Sequence, residues 1–393
     1  MRPLRALALG ALALTLLAAP FSADAQRALG VRPDPKTDEG GLWSISDKAE
    51  TAAKQSAELI PAPELNAYVR DVICKVSAEY CTEIRLYVMN RPYFNAQMAP
   101  NGYAEVWSGL LLRADNEAQL AFVLGHESGH YSQNHSLIAW RTAKGRQTAA
   151  VWIGIVSAAA GVPIIGDLAM LGTSASLFGF SREQEAQADG IGFNRAVAQG
   201  YDARAGAILW RYLVAETEHS DFDKVRTQIA RGSIFATHPL TADRIEALDK
   251  LAATHPEAGK TEDAAYRAIV RPFLGPWLKD DLRRKDFGES LYLIDHLMKR
   301  GEDMGVLFFY QGEAYRLRRK DGDMAIARAA YIKAITYPDA PPAAWRELGE
   351  IYARDGDKAN ARNALQTYLN NAGDAGDKLL VEARLKSFEG TTP

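Results

Sequence analysis

Two cysteines, Cys74 and Cys81, are all that the 393-residue chain contains, which excludes a metal site built from two cysteine pairs. Charge of one sign is missing too. With 46 basic and 49 acidic residues the net charge is −3, so there is no electrostatic basis for binding nucleic acid or an anionic membrane. Long apolar runs are also lacking. The run at 6–20 is shorter than the roughly 20 residues of a membrane span. Preceded by Arg2 and Arg5 and followed by Ala23-Asp24-Ala25 before Gln26, it reads as a secretory signal peptide over residues 1–25. No cysteine follows the cleavage point, so nothing there points to a lipid anchor. The second apolar stretch, 151–180, is broken by Gly161, Pro163, Gly166 and Asp167. It reads as a buried helix, a turn and another helix, and leaves open a peripheral membrane contact.

Export to the periplasm places both cysteines in an oxidising compartment, where an even pair at short spacing is expected to bridge. Seven residues of unbroken helix would hold their Cα atoms about 10 Å apart, beyond disulfide reach. A helix must therefore end between them. Residues 83–90, with Ile84, Leu86 and Val88 on one side, read as the strand that follows.

What the chain does have is His126-Glu127-Ser128-Gly129-His130. On a helix the two imidazoles lie one turn apart on one face and can chelate one zinc ion, with Glu127 placed as the general base that takes a proton from an attacking water. The helix is expected to be capped by Asp115, to carry Ala118, Ala121, Phe122 and Gly125 at helical spacing, and to leave Glu117 and Glu127 without need of burial. A metzincin would have glycine and histidine where Gln133 and Ser136 stand, so that class is excluded. Glu185 and Asp189, again one helical turn apart, offer a third ligand and an acceptor for the free ring N–H of a zinc histidine. His135 would point away from the His126 and His130 face if the helix continued, and is read as structural. His219, His255 and His296 are read as surface or packing residues.

Together these segments resemble the three ordered signatures of the M48 family of zinc metallopeptidases: Gly125 to His135 around the paired histidines, Ser181 to Asp189, and Thr237-His238-Pro239 leading to Arg244. Residues 95–111 are similar to the family's extended segment before the zinc helix, although Gln97 and Met98 depart from its usual small or aromatic residues. The resemblance covers roughly 46–251. It implies one zinc per chain held by His126, His130 and Glu185, with Glu127 as catalytic base. It also implies an active-site role for His238, either as a transition-state donor or as an extra ligand that blocks the metal.

Beyond about residue 260 a period appears. Phe308, Gly312 and Tyr315 correspond to Trp345, Gly349 and Tyr352, and Gly322, Ala327, Tyr331 and Ala334 to Gly356, Ala361, Leu365 and Tyr368. The pattern looks like tetratricopeptide repeats, with the second helix of a degenerate earlier repeat at 287–300 and a capping helix at 378–388. The expected architecture is mainly α: a signal peptide at 1–25, a gluzincin-type catalytic domain with a small sheet at 26–259, and a repeat domain at 260–393 that is separable from it and recruits partners. Envelope-acting members of the family have this plan, which implies proteolytic quality control of envelope or outer-membrane proteins and contact with their assembly machinery. The alternative is a chaperone or scaffold in which the repeats dominate and cleavage is rare.

Overall fold

A computed structural model describes residues 29–145, 179–227, 238 and 241–388. The segment 1–25 read as a signal peptide and most of 151–180 lie outside the described residues. Two helices come first among the described residues, α1 (Asp38–Gln55) and α2 (Pro63–Val76). Strand β1 (Arg85–Met89) then pairs in parallel with β3 (Tyr103–Trp107), and β2 (Ala96–Met98) pairs antiparallel on the other side of β3. The sheet order is β1-β3-β2. A mainly helical chain with one small sheet is the expected fold class.

The cysteines bridge, with Cα atoms 4.9 Å apart. The helix end between them is at Val76, after which a single 3-10 turn at Ala78–Tyr80 brings Cys81 back towards Cys74.

After a short α3 (Ser108–Arg113) come α4 (Glu117–Ser132), α5 (His135–Gly145), α6 (Arg182–Ala198), α7 (Ala205–Glu218) and α8 (Ala242–Ala253). Every residue of α4 is buried, so this helix runs through the core rather than along its surface. Two sequence expectations fail here. The cap is Asn116, whose side chain accepts from the Gln119 N–H at 3.0 Å, whereas Asp115 instead receives His296 Nε2 at 2.8 Å and an Arg300 ion pair. Glu117 and Glu127 are both buried; Glu117 is satisfied by Lys75, Tyr68 and Tyr201.

The C-terminal helices are α9 (Asp263–Val270), α10 (Leu274–Leu282), α11 (Phe287–Met298), α12 (Met304–Arg318), α13 (Asp323–Ala334), α14 (Ala343–Arg354), α15 (Lys358–Asn371) and α16 (Lys378–Ser387). Two of the correspondences read from the sequence are equivalent contacts in the structure. A Cβ on Gly312 would fall 2.5 Å from the Tyr331 ring, and one on Gly349 would fall 2.5 Å from Leu365 Cδ2. Each hairpin therefore closes by seating a bulky residue of its second helix on the glycine of its first.

Separability is another matter. One core cluster joins Leu120, Phe122, Trp210 and Leu248 to Tyr266, Trp277, Leu293 and Leu307, so a cut near residue 260 would expose large apolar side chains on both pieces. Charge locks the same junction. Buried Arg113 reaches Glu216 at 2.8 Å and Asp281 at 2.8 Å, and Asp281 also accepts from Ser290 at 2.6 Å and Arg284 at 2.9 Å. Burial alone would raise the Asp281 carboxyl, but Arg113 and Arg284 outweigh it and hold the group at about 2. A folded pKa below the ordinary value of roughly 3.9 means that this stabilisation is present above that value and is lost as pH falls from about 4 to about 2. In urea unfolding, Asp281→Asn should flatten the parent's loss of stability across that window. An unchanged acid limb in the variant would show that Asp281 does not link the junction to pH.

Candidate metal centre

Helix α6 crosses α4 closely enough for its acids to reach the histidines, and glycine permits the approach. A Cβ on Gly192 would lie 2.8 Å from the His126 backbone nitrogen and 2.9 Å from the Phe122 carbonyl oxygen. The start of α6 is fixed by a capping box between Ser181 and Gln184. Counting from that start, Glu185 and Asp189 fall one turn apart on the face turned to α4.

The result is a buried cluster of His126, His130, Glu185 and His238, whose candidate ligand atoms all lie within 4.8 Å of one another. His126 Nε2 is 3.1 Å from His130 Nε2 and 3.3 Å from His238 Nδ1. The Glu185 oxygens lie 3.6 Å from His126 Nε2 and 3.5 Å from His130 Nε2. His238 Nδ1 is 3.0 Å from Glu185 Oε1. Every candidate site residue read from the sequence is thus brought together, with Glu127 Oε1 3.8 Å from His238 Nε2.

Hydrogen bonding decides what such a cluster can hold. Asp189 Oδ1 accepts from His126 Nδ1–H at 2.9 Å, which leaves His126 Nε2 with a bare lone pair. That lone pair faces a second ring nitrogen and a carboxylate whose oxygens receive no well-directed hydrogen bond, although Arg244 Nη1 lies 2.7 Å from Oε2 as an ion pair. Buried acceptors converging on one another are unfavourable until a cation lies among them. The donor set, two imidazoles and a carboxylate, suits a divalent transition metal.

Around this set stand groups that sequence reading left without a role. Arg244, on α8, donates to Asp189 through Nε at 2.6 Å and Nη2 at 2.8 Å. Trp210 on α7 adds an indole N–H at 3.4 Å from Asp189 Oδ1 and lies 5.5 Å beneath the Arg244 guanidinium. Phe180 stacks on the His130 ring at 3.9 Å. The signal for Arg244 was its place in the segment after His238, but nothing local to it named Asp189 as its partner. Burial raises the Asp189 carboxyl, yet Arg244 and His126 prevail and hold it at about 2. Glu127 goes the other way: burial pushes its carboxyl up, only partly offset by His238 and His126, and its Oε1 has no hydrogen-bond partner.

His135 does not point away. Helix α4 stops at Ser132, Asn134 takes a left-handed φ of +53°, and the next helix begins at His135. The reversal brings His135 Nδ1 to 2.8 Å from His130 Nδ1. The expectation failed because it assumed an unbroken helix.

A paired-histidine helix crossed by a helix that supplies a carboxylate is the arrangement of a gluzincin-type metal centre. Residues 60–252 match Peptidase family M48. The chain is 26% identical over 311 residues to "Beta-barrel assembly-enhancing protease" of Escherichia coli (strain K12), covering 70% of this chain and 61% of that protein. It is 27% identical over 251 residues to the protein of the same name from Yersinia pestis, covering 58% and 50%. It is also 30% identical over 177 residues to "Metalloendopeptidase OMA1, mitochondrial" of Danio rerio, covering 42% and 35%. The chain thus spans about three fifths or less of these relatives' own length.

If the close crossing positions the acids, Gly192→Ala should separate α6 from α4. The expected cost is about 1–3 kcal/mol, as for other overpacked interiors, read as a lower urea midpoint with unchanged m. A variant as stable as the parent would show that the crossing has room to spare.

Proposed function

We propose that this chain is a zinc-dependent endopeptidase acting on misfolded or stalled envelope proteins, and that His126, His130 and Glu185 hold one zinc ion. The observation that carries this reading is the buried cluster of imidazole nitrogens and carboxylate oxygens with a second carboxyl, Glu127, beside it. Zinc bound there supplies a positive charge that polarises the scissile carbonyl. Glu127 takes the proton of the attacking water and returns it to the leaving amine; a carboxyl raised by burial is suited to both transfers. Asp189 holds His126 in the tautomer that presents Nε2 to the metal.

For His238, the present arrangement favours the blocking role over the donor role. Its Nδ1 sits within the ligand set rather than beside it. Burial lowers its basicity, but Glu185 and Glu127 raise it more, so the ring can leave the set as a cation paired with Glu127 and then donate to a developing oxyanion.

Substrates are proteins or peptides. Residues 260–393, read as tetratricopeptide-like repeats, recruit them or contact the outer-membrane protein assembly machinery, while 26–259 carries the catalytic site. A cleaved signal peptide at 1–25 would deliver the chain to the periplasm, and 151–180 remains a candidate for peripheral membrane contact; no nucleic acid is involved. Among the described residues no helix is long and apolar enough to cross a membrane. The rival reading, a scaffold with little proteolysis, leaves unexplained why base and ligand set are both present and both buried.

Two substitutions separate ligand from base. Glu185→Ala should carry well under one zinc per chain, since even the loss of a group that only supports a ligand costs roughly 10- to 100-fold in affinity. Glu127→Gln should keep its zinc and lose cleavage of casein. Full zinc content in Glu185→Ala would overturn the ligand set, and turnover in Glu127→Gln would mean that another group is the base.

A further inference from the structure

His126 has a carboxylate partner that fixes its tautomer, but among the described residues no carboxylate contacts the outer nitrogen of His130. What stands there is His135, with Nδ1 2.8 Å from His130 Nδ1. Two imidazole nitrogens at that distance share one proton, and which ring donates determines whether His130 Nε2 carries a lone pair or a hydrogen. The rest of the chain of hydrogen bonds settles the matter. Gln187, on α6, donates through Nε2 to Gln133 Oε1 at 3.1 Å. Its amide oxygen is therefore the atom that faces His135 Nε2, at 3.0 Å. An amide oxygen only accepts. His135 Nε2 must then bear the hydrogen, which in a neutral imidazole leaves Nδ1 as an acceptor. His130 Nδ1–H donates to it, and His130 Nε2 faces the cluster bare.

We propose that His135 is a positioning residue for the metal centre: a neutral Nε2–H imidazole, oriented by Gln187, that holds His130 as the Nδ1–H tautomer able to ligate through Nε2. The inference rests on the metal-centre reading above and adds to it a residue outside the ligand set. The fold is built to place it there. The left-handed turn at Asn134 ends α4 one turn after His130 and folds the chain back, and His135 is buried against the cluster. Gln133 caps the C-terminus of the helix that carries His126 and His130, and Gln187 lies on the helix that carries Glu185, so the tautomer of His130 is set by the same crossing that delivers Glu185. The two zinc histidines are thereby oriented differently, His126 by an anion and His130 by a neutral ring.

The test uses the full chain and three variants, with two independent readouts. His135→Phe keeps a planar ring and removes the acceptor. His135→Asn restores an oxygen near the position of Nδ1. Gln187→Leu leaves His135 in place but removes the group that fixes its proton. Zinc dissociation constants from chelator competition should rise roughly 10- to 100-fold in His135→Phe, rise less in Gln187→Leu, and stay near the parent value in His135→Asn. Thermal unfolding of the zinc-free forms identifies any variant that has lost its fold. Separately, two-bond proton–nitrogen spectra of histidine-labelled, zinc-free parent should show His130 protonated at Nδ1 and His135 at Nε2. Equal zinc affinity in parent and His135→Phe would overturn the proposal, as would equal weakening in the Phe and Asn variants, or a His130 protonated at Nε2. A parent that binds no zinc would sink the metal-centre reading, while the nitrogen spectrum would still decide the tautomers.

Discussion

Keeping an ionised carboxylate inside a protein is costly unless other groups take over the hydrogen bonds that water gave it, and the centre of this fold is organised around one such carboxylate. Asp189 is almost wholly buried. It accepts from His126 on α4, from Arg244 on α8 and from Trp210 on α7, while itself belonging to α6. Four helices distant in sequence are therefore tied to one side chain. Because Arg244 also pairs with Glu185, one guanidinium offsets the charge of both carboxylates beside the candidate metal site. Moving any one helix would leave a buried charge unmatched, so the ligand geometry and the packing of the catalytic part are one problem with one solution.

The same principle recurs where the two halves of the chain meet. Arg113, Glu216, Asp281 and Arg284 form a buried ionic group, and Asn90 and Asp115 reach Asp280 and His296 across the same junction. Hydrophobic burial would hold α10 and α11 against α3 and α7 in several registers. Directional ion pairs admit far fewer, which is the use for which buried polar groups are best attested. The helices that follow, α12 to α15, are bonded mainly to one another through their own core. The C-terminal part is thus rigidly docked at its beginning and built as a stack beyond it.

How much of this could be read in the sequence follows from how local each signal is. The metal cluster was legible because each half of it is a spacing of four on one helix, so His126 with His130 and Glu185 with Asp189 announce a shared face without any knowledge of the fold. The repeat period was legible for the same reason, since Gly312 and Gly349 mark equivalent contacts. The bridge between Cys74 and Cys81 was legible because compartment and chain geometry together required a helix end. The failures were all non-local or a single residue wide. Asp115 and Asn116 are both good caps, and what removed Asp115 is His296, far away in sequence. Burial of Glu117 and Glu127 could not be inferred from an acidic residue type, because it depends on Tyr68, Tyr201 and His238 arriving from other elements. For His135, one left-handed residue reversed the conclusion, and a non-glycine residue at positive φ leaves little trace in a pattern of polar and apolar positions.

The closed cluster also bears on how substrate would be admitted. His238 lies among the ligand atoms, and Phe180 covers the His130 ring and stands 5.1 Å from the His238 ring. Glu127, the proposed base, is buried with them. On the proposed function, a peptide bound at Glu127 would have to work against whatever holds His238 there. That hold is the contact of His238 Nδ1 with Glu185. A substrate that makes few contacts elsewhere gains too little to displace the ring, whereas an extended, unfolded segment that also engages other surfaces of the chain can draw on all of those contacts. On that proposal, selection for unfolded over folded segments would need no recognition of sequence at the site. It follows from the number of simultaneous contacts required to open the site.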